Sequence, residues 1–246
     1  MRLSRFHIAA ELVVGSGLDL PPDVAQHAIR VLRLAPGDAL VLFNGDGRDY
    51  AARVTAIGRQ SASVRVESAA PNRCEPRLPI TLVQALARGE RMDLILQKAT
   101  ELGVSAIVPV ASERSEVKLD AERAARRIAH WRQVIVSACE QCGASRLPEL
   151  AQPQALAQAL AALAPAAAGE SRLCLHPDAE LRLSDIVDPS ALCIAVGPEG
   201  GFSERDLALL DVAGFRRLAL GPRILRTETA GPAMIAALHA RFGDFV

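Results

Sequence analysis

The chain has almost no lysine: its 28 basic residues are 26 arginines and two lysines, and 28 acidic residues balance them to a formal net charge of zero. Neutrality argues against a protein held to nucleic acid by bulk charge, but binding depends on where charge sits rather than on its total. Arginine is the better fork for phosphate and can stack on bases, while a compositional bias toward Arg and Ala accounts for much of the ratio. Long apolar runs are also missing. The run ALCIAV at Ala191 to Val196 is far too short to span a bilayer. The opening MRLSRFHIAAELVV lacks the sustained apolar core of a secretory signal, so a cytoplasmic location away from any membrane is expected. The five cysteines make an odd count without framework spacing. Cys139 and Cys142 form a lone CxxC inside a helical pattern and read as ordinary helix residues. No metal-ligand spacing occurs, and no metal is expected.

What is present is enough apolar residue, half of 246, for one large or two modest domains. Residues 1–70 carry short β-type runs at Ala39 to Phe43, Tyr50 to Ile57 and Ser63 to Glu67, separated by the turn signals APGD and NGDGRD. That pattern predicts a small barrel. A helical segment from Asp23 to Arg33 interrupts it. At about 100° per residue, Val24, Ala28, Val31 and Leu32 share one face and His27, Arg30 and Arg33 the other, a basic stripe. The stretch AAPNRCEPRLP at Ala69 to Pro79, with three prolines and no period, reads as a linker. From residue 77 to 246 strands and helices alternate, which predicts a mainly parallel α/β sheet with helices on both faces. Within it Asp120 to Cys142 is a helix with a core stripe of Ile128, Trp131, Ile135, Ala138 and Cys142. The Ala-rich Gln152 to Gly169 reads as a surface helix and flexible loop.

Two loops carry the chemistry. GPEGGFS at Gly197 to Ser203 follows the strand Leu192 to Val196, and LGPRILRTETA at Leu220 to Ala230 follows the strand from Phe215. Two such loops side by side form one pocket at the carboxyl edge of a sheet. Gly197, Gly200 and Gly201 let a ligand approach the backbone amides, and Ser203 with Asp206 three residues on is a capping box for the next helix. The spacing is not the dinucleotide fingerprint, and no Walker lysine follows. Thr229 is a candidate cap for a last helix with Pro232 in its first turn. ILRTETA sets an apolar wall against the cation Arg226, and His176, after the strand Arg172 to Leu175, is a minor candidate to lie over a ligand.

GPEGGFSE, LGPRILRTETA, MDLILQKATELGV at Met92 to Val104, SERS at Ser112 to Ser115 and EQCGASRLPEL at Glu140 to Leu150 together resemble the RsmE-type ribosomal RNA methyltransferases of the SPOUT class. The N-terminal HAIRVLRLAPGD is similar to that family's PUA-like barrel. The resemblance implies an S-adenosylmethionine-dependent enzyme that methylates N3 of a uridine in 16S ribosomal RNA of the small subunit. It also implies a PUA-like β-barrel RNA-docking domain over 1–70, a trefoil-knotted α/β methyltransferase domain over 77–246, and a homodimer. By position, the cofactor loops are Leu175, His176 and Pro177, then Val196, Gly197, Glu199, Gly200 and Gly201, then Leu220, Gly221, Ile224, Leu225 and Arg226. The family often has lysines before the MDL segment where this chain has Arg88 and Arg91.

For catalysis, a cation near uracil O2 or O4 would stabilise the charge that develops as N3 loses its proton, and Arg226 ends the cofactor loop. Arginine stays protonated, so the proton passes to Glu228, to Glu199 or to water. RNA contact is expected from His27, Arg30 and Arg33, from Arg5, and from Lys98, Arg114 and Arg146. Arg123 and Arg126 are further candidates on the long helix. Two other classes remain open: a non-catalytic ribosome-assembly factor that docks on RNA, which would not bind S-adenosylmethionine, and an α/β enzyme acting on a small nucleotide.

Overall fold

The computed structural model describes residues 3–115 and 121–245, so Asp120, the expected first residue of the long helix, lies outside the described residues. The chain divides into two compact units, one of residues 1–75 with 136–147 and the other of 76–135 with 148–246.

The first unit begins with β1 (Arg5–His7), β2 (Gly17–Asp19), and α1 (Pro22–Gln26), which runs into a π-helical turn (His27–Val31). β3 (Ala39–Phe43), β4 (Arg48–Ile57) and β5 (Ala62–Pro71) follow, and the five strands pair in the order β1-β3-β4-β5-β2. Only β1 and β3 run parallel. Alternation explains the core: Leu40 and Leu42 of β3, Tyr50, Ala52 and Val54 of β4, and Ala62, Val64 and Val66 of β5 point inward two residues apart. Phe6 of β1, at one end of the order, and Leu20, just after β2 at the other, join that same core. The NGDGRD turn between β3 and β4 needs left-handed backbone at Gly45 and Gly47, with φ of 94° and 85°.

The helix over 22–31 departs from the regular wheel. The Leu32 amide reaches back five residues to the His27 carbonyl, at 3.1 Å, which widens the turn. The buried face is therefore Ala25 and Ala28, while Val31 and Leu32 are 64% and 38% exposed, contrary to the face expected of them. His27, Arg30 and Arg33 are exposed, Arg33 beyond the helix end with φ of 55°.

A polar cluster also belongs to this unit. Asp49 accepts from Arg5 at 2.8 and 3.2 Å, from Asn72 Nδ2 at 2.8 Å and from the Ser145 hydroxyl. Arg5 donates further to Ser145 Oγ at 2.7 Å, and Asn72 to the Gly143 carbonyl at 2.9 Å. Burial pushes the Asp49 carboxyl up, and the bonds from Arg5, Ser145 and Asn72 outweigh it, so it sits below the usual range. The Arg5 side chain is only 8% exposed, which removes it from the cations expected to reach RNA. A guanidinium bound on this many sides has no fork left for phosphate.

The second unit comprises β6 (Ile80–Ala85), α2 (Arg91–Glu101), β7 (Ala106–Ala111), α3 (Ala121–Cys142), β8 (Glu149–Leu150), β9 (Gln154–Ala155), α4 (Leu156–Ala162), β10 (Glu170–Leu175), β11 (Leu181–Arg182), β12 (Ala191–Val196), α5 (Glu204–Val212), β13 (Arg216–Ala219) and α6 (Thr227–Phe242). From Val136 onward, α3 counts with the first unit. The sheet order is β11-β13-β10-β12-β6-β7-β8, with β9 also on β7, and every pair is parallel. Strands covered on both faces read as continuous apolar runs, which is why ITLVQA and ALCIAV hardly alternate. On one face Val83, Ala85, Cys174, Cys193 and Ala195 pack with α4 and α5 through Leu156, Leu160, Leu207 and Leu210. α6 covers β12 and β6 on the other and packs on α2. The Ala-rich segment is thus less superficial than expected, because α4 buries Leu156, Ala159 and Leu160. The stripe of α3 is buried at Ile128, Trp131, Ile135 and Ala138.

α5 is capped by Ser203, whose hydroxyl accepts from the Asp206 amide at 3.1 Å while Asp206 accepts from the Ser203 amide at 3.1 Å. The last helix differs from expectation. It starts at Thr227 with Arg226 as N-cap, so Thr229 lies in its first turn and Pro232 in its second, where proline removes the amide that would bond the Glu228 carbonyl.

Candidate functional site

Parallel pairing sends the carboxyl ends of β10, β12 and β13 to one edge, and the three following loops enclose a cleft of about 700 Å³. Each of Leu175, His176, Val196, Gly197, Glu199, Gly200, Gly201, Leu220, Gly221, Ile224, Leu225 and Arg226 lines it, as does Glu228. The loop after β12 folds tightly on itself: a Cβ on Gly197 would lie 3.0 Å from the Phe202 amide nitrogen. Gly201 and Gly221 have φ of 69° and 77°, with nothing within 4 Å of where a Cβ would stand, so a ligand can lie against bare backbone there.

The segment Ser112 to Ser115 supplies a further wall. Its Glu113 amide donates to Asp206 at 3.2 Å, which ties the turn to the start of α5. Arg114 then reaches the carbonyls of Gly200 at 3.0 Å and Phe202 at 3.4 Å. This cation, expected at RNA, lines the cleft itself.

Charge is concentrated at one end. Arg91, on the first turn of α2, donates to Glu199 Oε1 at 2.6 Å, and the Arg88 amide donates to the same oxygen at 3.2 Å. Burial pushes the Glu199 carboxyl up, but bonds from its own amide, from Arg91 and from the Arg88 amide outweigh it and hold it below the usual range. Arg91 Nε also stands 3.8 Å from Glu228 Oε1, and Arg226 Nη1 stands 3.9 Å from that oxygen. Glu228 is 14% exposed and Arg226 79%, so the carboxylate is tucked in while the guanidinium is free to meet a ligand. His176 lines the cleft with its amide on the Leu218 carbonyl, and its Nδ1 accepts from the Asp178 amide at 3.3 Å.

Arg91, Phe202 and Thr227 also line the cleft and were not singled out from sequence as ligand contacts. Lys98 is ion-paired with Glu101 at 2.9 Å and lies off the cleft wall. In the first unit Arg146 pairs with Glu75 at 3.0 Å, and His27, Arg30 and Arg33 are exposed. Arg126 pairs along its own helix with Glu122. Cys139 is buried and its thiol is pushed up to about 12 by that burial, so it stays protonated and unreactive at neutral pH. Among the described residues, no group of three or more His, Cys, Asp or Glu side chains could hold a metal ion. Among them too, no helix is long and apolar enough to cross a membrane.

A glycine-walled cleft at the carboxyl edge of a parallel sheet, rimmed by arginines, is the arrangement of a ligand-binding α/β protein. Residues 74–239 match the family model described as an RNA methyltransferase domain, and residues 20–67 match the one described as an RNA methyltransferase PUA domain. The chain belongs to the ribosomal RNA small subunit methyltransferase E family. The enzyme of that name from Mycobacterium bovis is 36% identical over 225 residues, covering 88% of this chain and 83% of its own. The Neisseria gonorrhoeae protein of that name, solved bound to S-adenosylmethionine, is 39% identical with a TM-score of 0.92 over 100% of both chains. A Legionella pneumophila protein solved with the same cofactor is 38% identical, with a TM-score of 0.93 over 100% of both chains.

Proposed function

We propose that the chain transfers a methyl group from S-adenosylmethionine to N3 of a specific uridine in 16S ribosomal RNA. The observation that carries this reading is the cleft: three loops at parallel strand ends, the one after β12 glycine-rich, in a chain that superposes along its whole length on two proteins that hold S-adenosylmethionine. The cofactor fits because open space above Gly201 and Gly221 meets apolar flanks at Leu175, Leu220 and Leu225. Its sulfonium supplies the methyl group.

The chain's own residues align and polarise. Glycine amides and the apolar flanks hold the donor in line with the acceptor, which removes most of the orientational cost. Arg226 donates to the uracil oxygen that gains charge as N3 is deprotonated, a contribution of about 3 to 4 kcal/mol for a well-placed donor. The N3 proton passes to Glu228, whose two cationic neighbours stand off at 3.8 and 3.9 Å, rather than to Glu199, which Arg91 engages at 2.6 Å. His27, Arg30 and Arg33 of the docking domain (1–70) contact RNA phosphates, with Arg146 in support, and the catalytic domain (77–246) adds Arg114 and Lys98. The protein works in the cytoplasm as a homodimer, on the RNA or on the small ribosomal subunit. The catalytic domain carries the trefoil knot of the SPOUT class, a reading supported by α6, which leaves the β13 side of the sheet and packs on β12, β6 and α2.

Incubation of purified protein with S-adenosylmethionine and unmodified 16S RNA or small subunits, followed by nucleoside mass spectrometry, tests this. 3-Methyluridine is the expected product. Methylation at another atom refutes the N3 assignment, and binding of RNA with no methyl transfer and no cofactor uptake reduces the protein to a docking factor.

A further inference from the structure

The strand β6 buries one polar side chain that the cleft does not use directly. Gln84 is fully buried at the carboxyl end of that strand, opposite Val196 of β12, where the first glycine loop begins. Its amide nitrogen donates to the Ala85 carbonyl at 3.0 Å and to Thr227 Oγ1 at 3.1 Å. Thr227, itself buried at the start of α6, donates its hydroxyl to the Gly197 carbonyl at 2.7 Å.

The direction of each bond is fixed by the inventory of protons. Turning the Gln84 amide over would set its oxygen against the Ala85 carbonyl, two acceptors facing each other, so the nitrogen must face Ala85 and Thr227. Thr227 has one hydroxyl proton. Because Gln84 already donates to its oxygen, that proton is committed to Gly197. The arrangement has a cost in one unsatisfied atom: Gln84 Oε1 is buried without a hydrogen-bond partner, packed toward Gly231 of α6. An apolar side chain there, among the buried Leu82, Val83 and Ala85, would avoid that cost.

We infer that Gln84 is a positioning residue for the methyl-transfer site. Through Thr227 it locks the Gly197 carbonyl, and so joins the loop after β12 to the end of the loop after β13, the two walls between which the cofactor lies. It touches neither cofactor nor RNA; it sets the spacing of the walls. The inference rests on the proposed binding of S-adenosylmethionine in this cleft.

Removing the link leaves each loop intact but lets the two walls move apart, so it weakens cofactor capture more than it slows the transfer at saturation. Calorimetric titration with S-adenosylmethionine and steady-state kinetics on Thr227→Val, Thr227→Ser, Gln84→Met and the double variant Gln84→Met/Thr227→Val test it. Thr227→Val and Gln84→Met are each expected to weaken cofactor affinity about tenfold, the scale of one buried hydrogen bond. In Gln84→Met, whose side chain does not line the cleft, KM for the cofactor rises in step and kcat at saturation stays within about threefold. Thr227→Ser keeps the hydroxyl and binds within about twofold of native. The double variant is no weaker than either single one, since both break the same chain. Native affinity in Thr227→Val, or losses that add in the double variant, would overturn the inference while native cofactor binding stands. A native protein that takes up no S-adenosylmethionine overturns both this inference and the reading beneath it.

Discussion

Two glycines of one turn separate an effect on the fold from an effect on the ligand. A Cβ on Gly197 would lie 3.0 Å from the Phe202 nitrogen and 3.1 and 3.2 Å from the carbonyl carbon and Cα of Gly201. All three are backbone atoms, so the turn itself must open, and overpacking of this kind costs about 1–3 kcal/mol. A Cβ on Gly200 meets nothing nearer than Arg114 Cδ at 3.7 Å, an ordinary contact, and Gly200 is not among the glycines with positive φ. Gly197→Ala is therefore expected to lower Tm by about 2–12 °C, at about 2–4 °C per kcal/mol for a chain of this size. Its affinity for S-adenosylmethionine should fall by about 5- to 150-fold if the same strain displaces the cleft wall. Gly200→Val should melt within about 2 °C of native, as surface changes do. It should nevertheless lose cofactor binding, because its branched side chain fills space proposed for the ligand. Scanning calorimetry and isothermal titration read the two effects. A Gly197→Ala protein that melts and binds as native does, or a Gly200→Val protein with undiminished affinity, would refute the reasoning.

Arg226→Ala should cut turnover by roughly two to three orders of magnitude at saturating cofactor. Cofactor affinity should be nearly kept, and activity should recover partly at high pH as N3 ionises unaided; parallel loss of binding and rate without pH rescue would make the residue structural. Reversing Arg30 and Arg33 to Glu should weaken RNA binding and flatten its salt dependence with S-adenosylmethionine affinity unchanged, as filter binding across salt concentrations would show. Asp49→Asn should destabilise the protein at neutral pH by about 1.5–3 kcal/mol, the scale of hydrogen bonds to a charged group. Because the folded Asp49 pKa is depressed, its contribution is present above the unfolded value and is lost as pH falls through the folded one. The Tm gap between native and variant should therefore close in acid; a gap independent of pH would contradict the assignment.

The sequence made the second unit largely legible because its strands are apolar runs ended by glycine and proline turns, and a parallel sheet gathers such turns at one edge. Residues that act through long-range partners were not legible. Arg5 reads as a surface cation until Asp49 and Ser145 close on it. Arg91 acquires its partner only because the first turn of α2 lies beside the loop after β12. Gln84 did leave a trace, as a lone amide in the strand ITLVQA, but its meaning depends on Thr227, far away in the chain. The wheel drawn for Asp23 to Arg33 assumed a constant angle per residue, and a single turn of wider winding moved Val31 and Leu32 off the buried face.

The cluster around Asp49 bears on the order in which the chain is made. Asn72 and Arg5 leave the ribosome early, whereas Ser145 and the Gly143 carbonyl belong to the segment 136–147, which is synthesised only after the opening strands of the second unit. At about 5–20 residues per second, the first unit waits several seconds for its last piece. During that interval Asp49 lacks the Ser145 hydroxyl, and Arg5 lacks two of its acceptors, Ser145 Oγ and the Ala144 carbonyl. A fragment ending at Glu75 would be arrested in that state for good. The unit is therefore better excised with 136–147 rejoined by a short linker than by a single cut.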